Sequence, residues 1–329
     1  MSVIALDIGR SAIKGSVSNP KGTVSTFTIP TATCLAFGIS DDAESARAAK
    51  ETVRVGSTDY FIGDTAIAQG GSNATGGLSD DWIESPEHSA LLIGAYRKAA
   101  AISGVKNPKL VVGLPTHLFK RQRDRLRELA SLSLGLDANS IEVLPQPVAP
   151  YWEAILNSDG TPRMSARNES WAVIDIGFFT TDFMLMMNGR WIETVAGTCS
   201  GAHIASERLR KMLAEKGIDL DARDCETALS EKQIKNFNQT VNVEADVNEA
   251  VMILANEIVD TAKRLIDPYA RKLDGVIVAG GGAEFMFQKI NDLWPHAIKP
   301  QFPRMSISEG MRRFGKMMIL HETAQNSKG

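Results

Sequence analysis

The sequence predicts an α/β protein of two lobes that each carry the same strand-turn-strand device, and three observations support this. The first is duplication. Leu6-Asp7-Ile8-Gly9-Arg10-Ser11-Ala12-Ile13-Lys14 and Ile174-Asp175-Ile176-Gly177-Phe178-Phe179-Thr180-Thr181-Asp182 both end an apolar run in Asp-Ile-Gly. The second is Val276-Ile277-Val278-Ala279-Gly280-Gly281-Gly282-Ala283-Glu284, an apolar run entering three glycines and then a helical stretch. The third is length: 329 residues exceed the size at which one core keeps growing.

Each element follows from local pattern. Val3–Leu6 and Trp171–Ile174 read as buried strands, and the glycine after Asp-Ile allows a tight return, so each copy is a hairpin whose tip is offered to a ligand. A third strand runs to about Ile29. Thr31–Gly77 is irregular, polar and glycine-rich and reads as a small inserted subdomain with one hairpin, Glu51–Ile62, ending at Gly63-Asp64. Gly70–Gly77 has the composition of a mobile loop. Ser85-Pro86-Glu87 opens a helix with a capping hydroxyl and an early proline, and Gly104 closes it. Leu110–Gly113 is a buried strand. Lys120–Arg127 is the most basic run and reads as a solvated helix face, with a partner contact as the alternative. His117 reads as a packed loop histidine. Gly201–Lys216 and Glu244–Ile266 read as amphipathic helices, and the methionine-rich Met184–Met187 reads as core. The tail beyond Glu322 reads as disordered.

The tips suggest phosphate chemistry. Backbone N–H groups of a glycine turn point at phosphate oxygens, Ser11, Thr180 and Thr181 offer hydroxyls, and Lys14 offers positive charge. Asp7 and Asp175 would be repelled by a polyphosphate unless Mg²⁺ stands between, held through its water shell. A single Asp-x-Gly is a common turn sequence; two copies favour the ligand reading. The triple glycine suits close approach of a backbone to a nucleotide, and it is not the G-x-G-x-x-G dinucleotide fingerprint.

The order of these signals resembles the actin and sugar-kinase superfamily. Within it, the length, Leu144-Pro145-Gln146-Pro147-Val148-Ala149-Pro150-Tyr151 and Val-Ala-Gly-Gly-Gly-Ala-Glu look most like ParM/StbA-type plasmid-segregation actins, including archaeal and phage members, from Val3 to about Leu320. The resemblance implies an actin-like (ribonuclease H-like) two-lobed fold with duplicated βββαβα units and a central nucleotide cleft. It implies a first lobe at 1–157 plus 305–329, with the insert at about 31–84, and a second at 158–304. Asp7, Gly9, Ser11 and Lys14 fall in the first phosphate loop, and Asp175, Gly177, Thr180 and Thr181 in the second. Gln146 falls where the family orients the attacking water, so the catalytic set is Gln146, Asp175 and Asp7, with both aspartates on the metal. Gly280, Gly281 and Gly282 face the α-phosphate and sugar, Glu284 starts the next helix, and Ser200-Gly201 closes a loop over the nucleotide. Ser308-Glu309-Gly310-Met311 resembles the second interdomain connection, with Arg312–Leu320 returning as a helix. Phe178 and Phe179 depart from the family, which places a small residue after the glycine.

Composition sets the surroundings. Net charge −3 and pI ≈ 6.0 argue against direct nucleic-acid binding. Cys34, Cys199 and Cys225 give neither a disulfide framework nor a zinc site, and no apolar run spans a membrane, so a cytoplasmic protein is expected. The resemblance then implies an ATPase, with GTP left open as an alternative nucleotide, that polymerises on ATP and disassembles after hydrolysis. Its partners would be its own copies and an adaptor bridging to plasmid DNA. Two alternatives share the fold: a small-molecule kinase using Asp64 or Asp182 as base, and a nucleotide-gated binding protein.

Overall fold

The computed structural model describes residues 2–71, 74, 79–164 and 166–326, which divide into two units, Met1–Arg163 with Ile307–Gly329 and Met164–Ser306. Most of the Gly70–Gly77 segment, and residues 327–329 of the tail, lie outside the described residues.

In the first unit the chain forms β1 (Val3–Ile8), β2 (Ala12–Ser18), β3 (Val24–Pro30), β4 (Thr33–Leu35), α1 (Asp42–Ala48), β5 (Thr52–Val55), β6 (Thr58–Ile62) and α2 (Gly63–Gly70). It continues through α3 (Pro86–Ser103), β7 (Lys109–Leu114), α4 (Thr116–Leu134), β8 (Ile141–Pro145) and α5 (Ala149–Ile155). The main sheet has the order β3-β2-β1-β7-β8, antiparallel through β1 and parallel beyond it. Helices cover both faces, which is why β1 reads as an unbroken apolar run. Ile4 and Leu6 pack with Leu91, Leu92 and Leu126 of α3 and α4. Val3 and Ala5, on the opposite face, pack with Val111, Ala149, Met311 and Ile319. Each large buried side chain contributes about 1.5–3 kcal/mol.

The capping signals act as predicted for α3: Ser85 accepts from the His88 N–H, Pro86 occupies the first turn, and Gly104 ends the helix at φ 66°. The inserted region is more regular than its composition suggests. It folds as a three-stranded sheet, β4-β6-β5, with Ala32, Ala48, Phe61 and Ala66 as its own small core. The basic run lies on α4, where Arg121 pairs with Asp81, Arg123 with Asp124, Arg125 with Glu84 and Glu128, and Arg127 with Asp124 and Glu142. The strip is therefore locally neutralised. His117 is not packed: it stands in the first turn of α4 with its side chain 45% exposed, 3.7 Å from Asp80.

The second unit contains β9 (Trp171–Ile176), β10 (Thr180–Met187), β11 (Arg190–Trp191), β12 (Gly197–Ser200), α6 (His203–Glu215), α7 (Ala222–Glu231), β13 (Gln233–Asn236) and β14 (Gln239–Asn242). Then come α8 (Glu244–Ala270), β15 (Gly275–Ala279), α9 (Ala283–Leu293) and β16 (Ala297–Ile298). Its sheet runs β11-β10-β9-β15-β16, with β12 also on β10, so strands three, two, one, four and five repeat the order of the first unit. The third-strand position is shared: β11 pairs with Met186–Met187 of β10, and β12 with Thr180–Phe183. Met184, Leu185 and Met186 are buried. The chain closes with α10 (Ser306–Asn326), whose length corrects the expectation of a disordered tail beyond Glu322. Ser308–Met311 lies in the first turns of this helix, just after the boundary between the two units, and residues 323–326 continue the helix.

Candidate functional site

The first hairpin turn is built around a carboxylate. Asp7, at the end of β1 and 1% exposed, is paired across the ladder with Lys14. Lys14 Nζ lies 3.3 Å from Asp7 Oδ2, and Gln146 Nε2 donates to Asp7 Oδ1 at 2.7 Å. Because a carboxylate only accepts, this bond fixes the Gln146 amide nitrogen toward Asp7 and leaves its oxygen as the acceptor for water. Gln146 begins the short turn after β8, and a Cβ on Gly113 of β7 would come within 2.9 Å of its Cγ. Gly113 thus makes room for the glutamine, a role its sequence does not signal. Gly9 has a similar reason: a Cβ there would meet Ala12 O at 2.7 Å and Lys14 Nζ at 2.9 Å. Ser11 is half-buried, and its carbonyl accepts from the Thr31 N–H at 3.0 Å.

The second hairpin repeats the turn. A Cβ on Gly177 would meet Thr180 O at 2.9 Å, three residues on, as in the first turn. Asp175 is 5% exposed and stands opposite Asp182, itself 6% exposed, where the first hairpin has lysine. The threonines are oriented inward. Thr180 Oγ1 donates to Asp182 Oδ2 at 2.9 Å, Thr198 Oγ1 donates to Asp182 Oδ1 at 2.7 Å, and fully buried Thr181 donates to Ser200 O at 2.8 Å. In this structure both hydroxyls donate within the second unit.

The two phenylalanines form the turn's outer wall. Their rings meet edge to face at 5.0 Å, and Phe179 stacks on His203 at 5.3 Å. The N–H groups of Gly201, Ala202 and His203 donate to Phe179 O, Gly177 O and Phe178 O at 3.0, 3.0 and 2.7 Å. A Cβ on Gly201 would lie 2.5 Å from Phe178 O. Gly201 therefore locks the start of α6 onto the turn, and its N–H is already committed there. His203, which sequence reading passed over, is the third member of this cluster.

The three glycines divide their work. Gly280 adopts φ 82°, and a Cβ there would meet Ile176 O at 2.3 Å; one on Gly282 would meet Ile176 Cγ2 at 2.2 Å. Both clamp the turn against the end of β9. Gly281 between them is exposed, and a Cβ there would meet no protein atom within 4 Å. Glu284, in the first turn of α9, pairs with Lys299 at 2.6 Å.

Within the first unit, Glu309 is a hydrogen-bonding hub. It accepts from Ser16, Arg312 and Arg313. Burial pushes its carboxyl up, and the bonds from Arg312, Arg313 and Ser16 outweigh burial and hold it below the usual range. Gly310 lets α10 cross α5, since a Cβ would lie 1.7 Å from Ala149 O.

Among the described residues no three His, Cys, Asp or Glu side chains cluster as metal ligands. Asp7 and Asp175, each taken within its own unit, offer the hard oxygen donors that magnesium takes. No helix among the described residues is long and apolar enough to cross a membrane.

Comparison with known proteins agrees with the fold. Residues 5–148 match the model "Actin like proteins N terminal domain", and residues 173–292 match "Archaeal actin homologue MreB-like, C-terminal". No curated protein matches the sequence. Among solved structures, a 15-stranded ParM filament from Clostridium botulinum superposes with TM-score 0.73 at 17% identity, covering 96% of this chain and 99% of that one. An archaeal actin homolog in complex with ADP gives TM-score 0.72 at 18% identity, covering 95% and 98%. Bacillus thuringiensis ParM with ATP gives 0.65 at 18%, covering 98% and 99%. At these identities the superpositions establish the fold. With both family models matched in order along most of the sequence, the chain belongs to the actin-like superfamily.

Proposed function

We propose that this chain is a filament-forming ATPase that binds MgATP at its two hairpin turns and its triple-glycine turn. The observation that carries the reading is the turn built twice, with Gly9 and Gly177 each excluding a Cβ against the carbonyl three residues on and each following a buried aspartate. Gly281 adds to it, because its lack of a side chain answers to nothing in the protein and suits a ligand approaching the backbone.

When bound, Mg²⁺ supplies charge neutralisation at the transferred phosphoryl group. Asp7 and Asp175 would hold it through water. Lys14 adds positive charge at the first turn, and the Gln146 amide oxygen orients the attacking water without removing a proton. The turn N–H groups of Gly9 and Gly177 approach phosphate, and Gly280–Gly282 approach the α-phosphate and sugar. In this reading ATP binding promotes assembly in the cytoplasm, hydrolysis loosens the filament, and an adaptor links it to plasmid or other DNA. The ParM filament from Clostridium botulinum and the ATP- and ADP-bound relatives support the assembly and nucleotide parts.

The kinase alternative is not favoured. Asp182 is buried and accepts two hydroxyl hydrogen bonds, and Asp64 is exposed in the first turn of α2. Sedimentation with ATP, GTP, ADP and no nucleotide, read beside phosphate release, tests the proposal. Triphosphate-dependent pelleting with phosphate release is expected; a protein that stays monomeric and releases no phosphate would overturn it.

A further inference from the structure

Phe237 is 95% exposed at the tip of the β13–β14 hairpin. Its φ is 43° and that of Asn238 is 66°, the two-residue turn with both central residues left-handed that normally takes Asn-Gly. A bulky aromatic is a poor occupant of such a turn, and here the ring buries nothing within the chain. The hairpin itself is anchored, since Ile234 is buried in the core of the second unit and Val241 packs against it. The result is a fixed arm with an apolar knob at its end.

The same unit carries a matching socket. A groove of ≈ 800 Å³ is lined by Asp267, Ala270, Leu273, Leu293, Trp294 and His296, among others. Its floor is apolar: Ala270, Leu273 and Trp294 are only 5–8% exposed. His296 Nε2 is buried with no hydrogen-bond partner among the described residues, and the rim carries Arg271 and Asp267, whose Oδ1 accepts from Trp294 Nε1 at 2.9 Å. The arm brings the amides of Asn236 and Asn238 beside the ring and Lys235 as its only charge, toward a groove that carries one charge of each sign, Asp267 and Arg271.

Knob and socket lie at opposite ends of α8. The arm joins its first residue, Glu244, and the groove takes its last turn, Asp267 and Ala270. The helix has 27 residues, about 40 Å at 1.5 Å per residue. A projection at one end and its receptor at the other make a head-to-tail contact that does not close on itself and so propagates.

We propose that Phe237 inserts into the Leu273–Leu293–Trp294 groove of a second copy of this chain, with Asn236 or Asn238 reaching His296 and Lys235 reaching Asp267. This rests on the filament reading and names its longitudinal contact. A buried aromatic in a pocket is the residue type that dominates such interfaces.

The test uses two variants of the full chain. Phe237→Asn removes the knob and relieves the turn, so its melting temperature should not fall. Pro295→Glu places a charge on the exposed groove lip and leaves the buried floor intact. Wild type should pellet with ATP, and each variant alone should raise the critical concentration about tenfold or more. Binding of a fluorescent ATP analogue should be unchanged in both. Mixed, the two variants should form a one-to-one dimer, because one retains a socket and the other a knob, and either should shorten wild-type filaments when added sparingly. If wild type pellets and Phe237→Asn pellets equally, the contact proposed here is wrong while the filament reading stands. If wild type does not pellet, both fall.

Discussion

In the β1–β2 hairpin the residue opposite the turn aspartate is Lys14, whereas in β9–β10 it is Asp182. The glycine turns are alike, but the first hairpin supplies its own cation and an amide from Gln146, while the second supplies an acidic pair braced by threonine hydroxyls. Like charges directly across a ladder disfavour pairing, and a metal ion changes the sign of that interaction. Duplicated architecture has thus been given unequal chemistry: a lysine faces the aspartate of one turn, and a second carboxylate faces that of the other. The outer walls differ too, with Arg10 paired to Asp80 at the first turn and the Phe178–Phe179–His203 stack at the second.

The largest effect expected from this asymmetry is at the acidic turn. Asp175→Ala should remove ATP-dependent light scattering and lower phosphate release about a hundredfold or more. If Asp175→Ala leaves both intact while Asp7→Ala does not, the roles of the turns are reversed. Gln146→Ala should slow phosphate release by about a hundredfold, the cost of a misplaced nucleophile, and leave assembly in place. Filaments would then outlast those of wild type in turbidity decay; unchanged release would deprive Gln146 of its role. Lys14→Met should raise the KM for ATP about tenfold through the loss of one charge-assisted contact, with a smaller change in kcat. An equal loss in both parameters would mean that Lys14 acts on the reaction rather than on binding. The smallest effect is expected at the aromatic wall. Phe179→Leu should cost about 1 kcal/mol of stability from the lost stack on His203, measured by thermal melting, with nucleotide affinity changed less than about threefold.

The hairpins and the triple glycine were legible because each joins a strong period signal to a glycine forced by close backbone approach. The α3 helix was legible because Ser85, Pro86 and Gly104 mark both ends. Of the β4-β6-β5 sheet the β5–β6 hairpin was legible in its apolar residues, whereas β4, three residues long, leaves no alternation to read. At Ser308–Met311 the reason for Gly310, which lets two helices cross, was not legible, because it depends on Ala149 of a distant helix. The direction of the Thr180 and Thr181 hydroxyls depended on Asp182, Thr198 and Ser200, partners that pattern alone does not supply. Gly113 and His203 were missed for the same reason: their roles exist only once distant segments are side by side.

The splitting of one strand position in the second unit has a consequence for solubility. Where β10 could have carried a full-length neighbour, it carries β11 of two residues and β12 of four, and the far border of that sheet is β16, also two residues. Such stubs give another chain almost no row of backbone donors and acceptors to copy, which blocks runaway cross-β stacking. The first unit is less protected, since β3 presents six residues before Pro30 ends it. A destabilised variant of this protein should therefore begin to form amyloid-like material at Val24–Pro30.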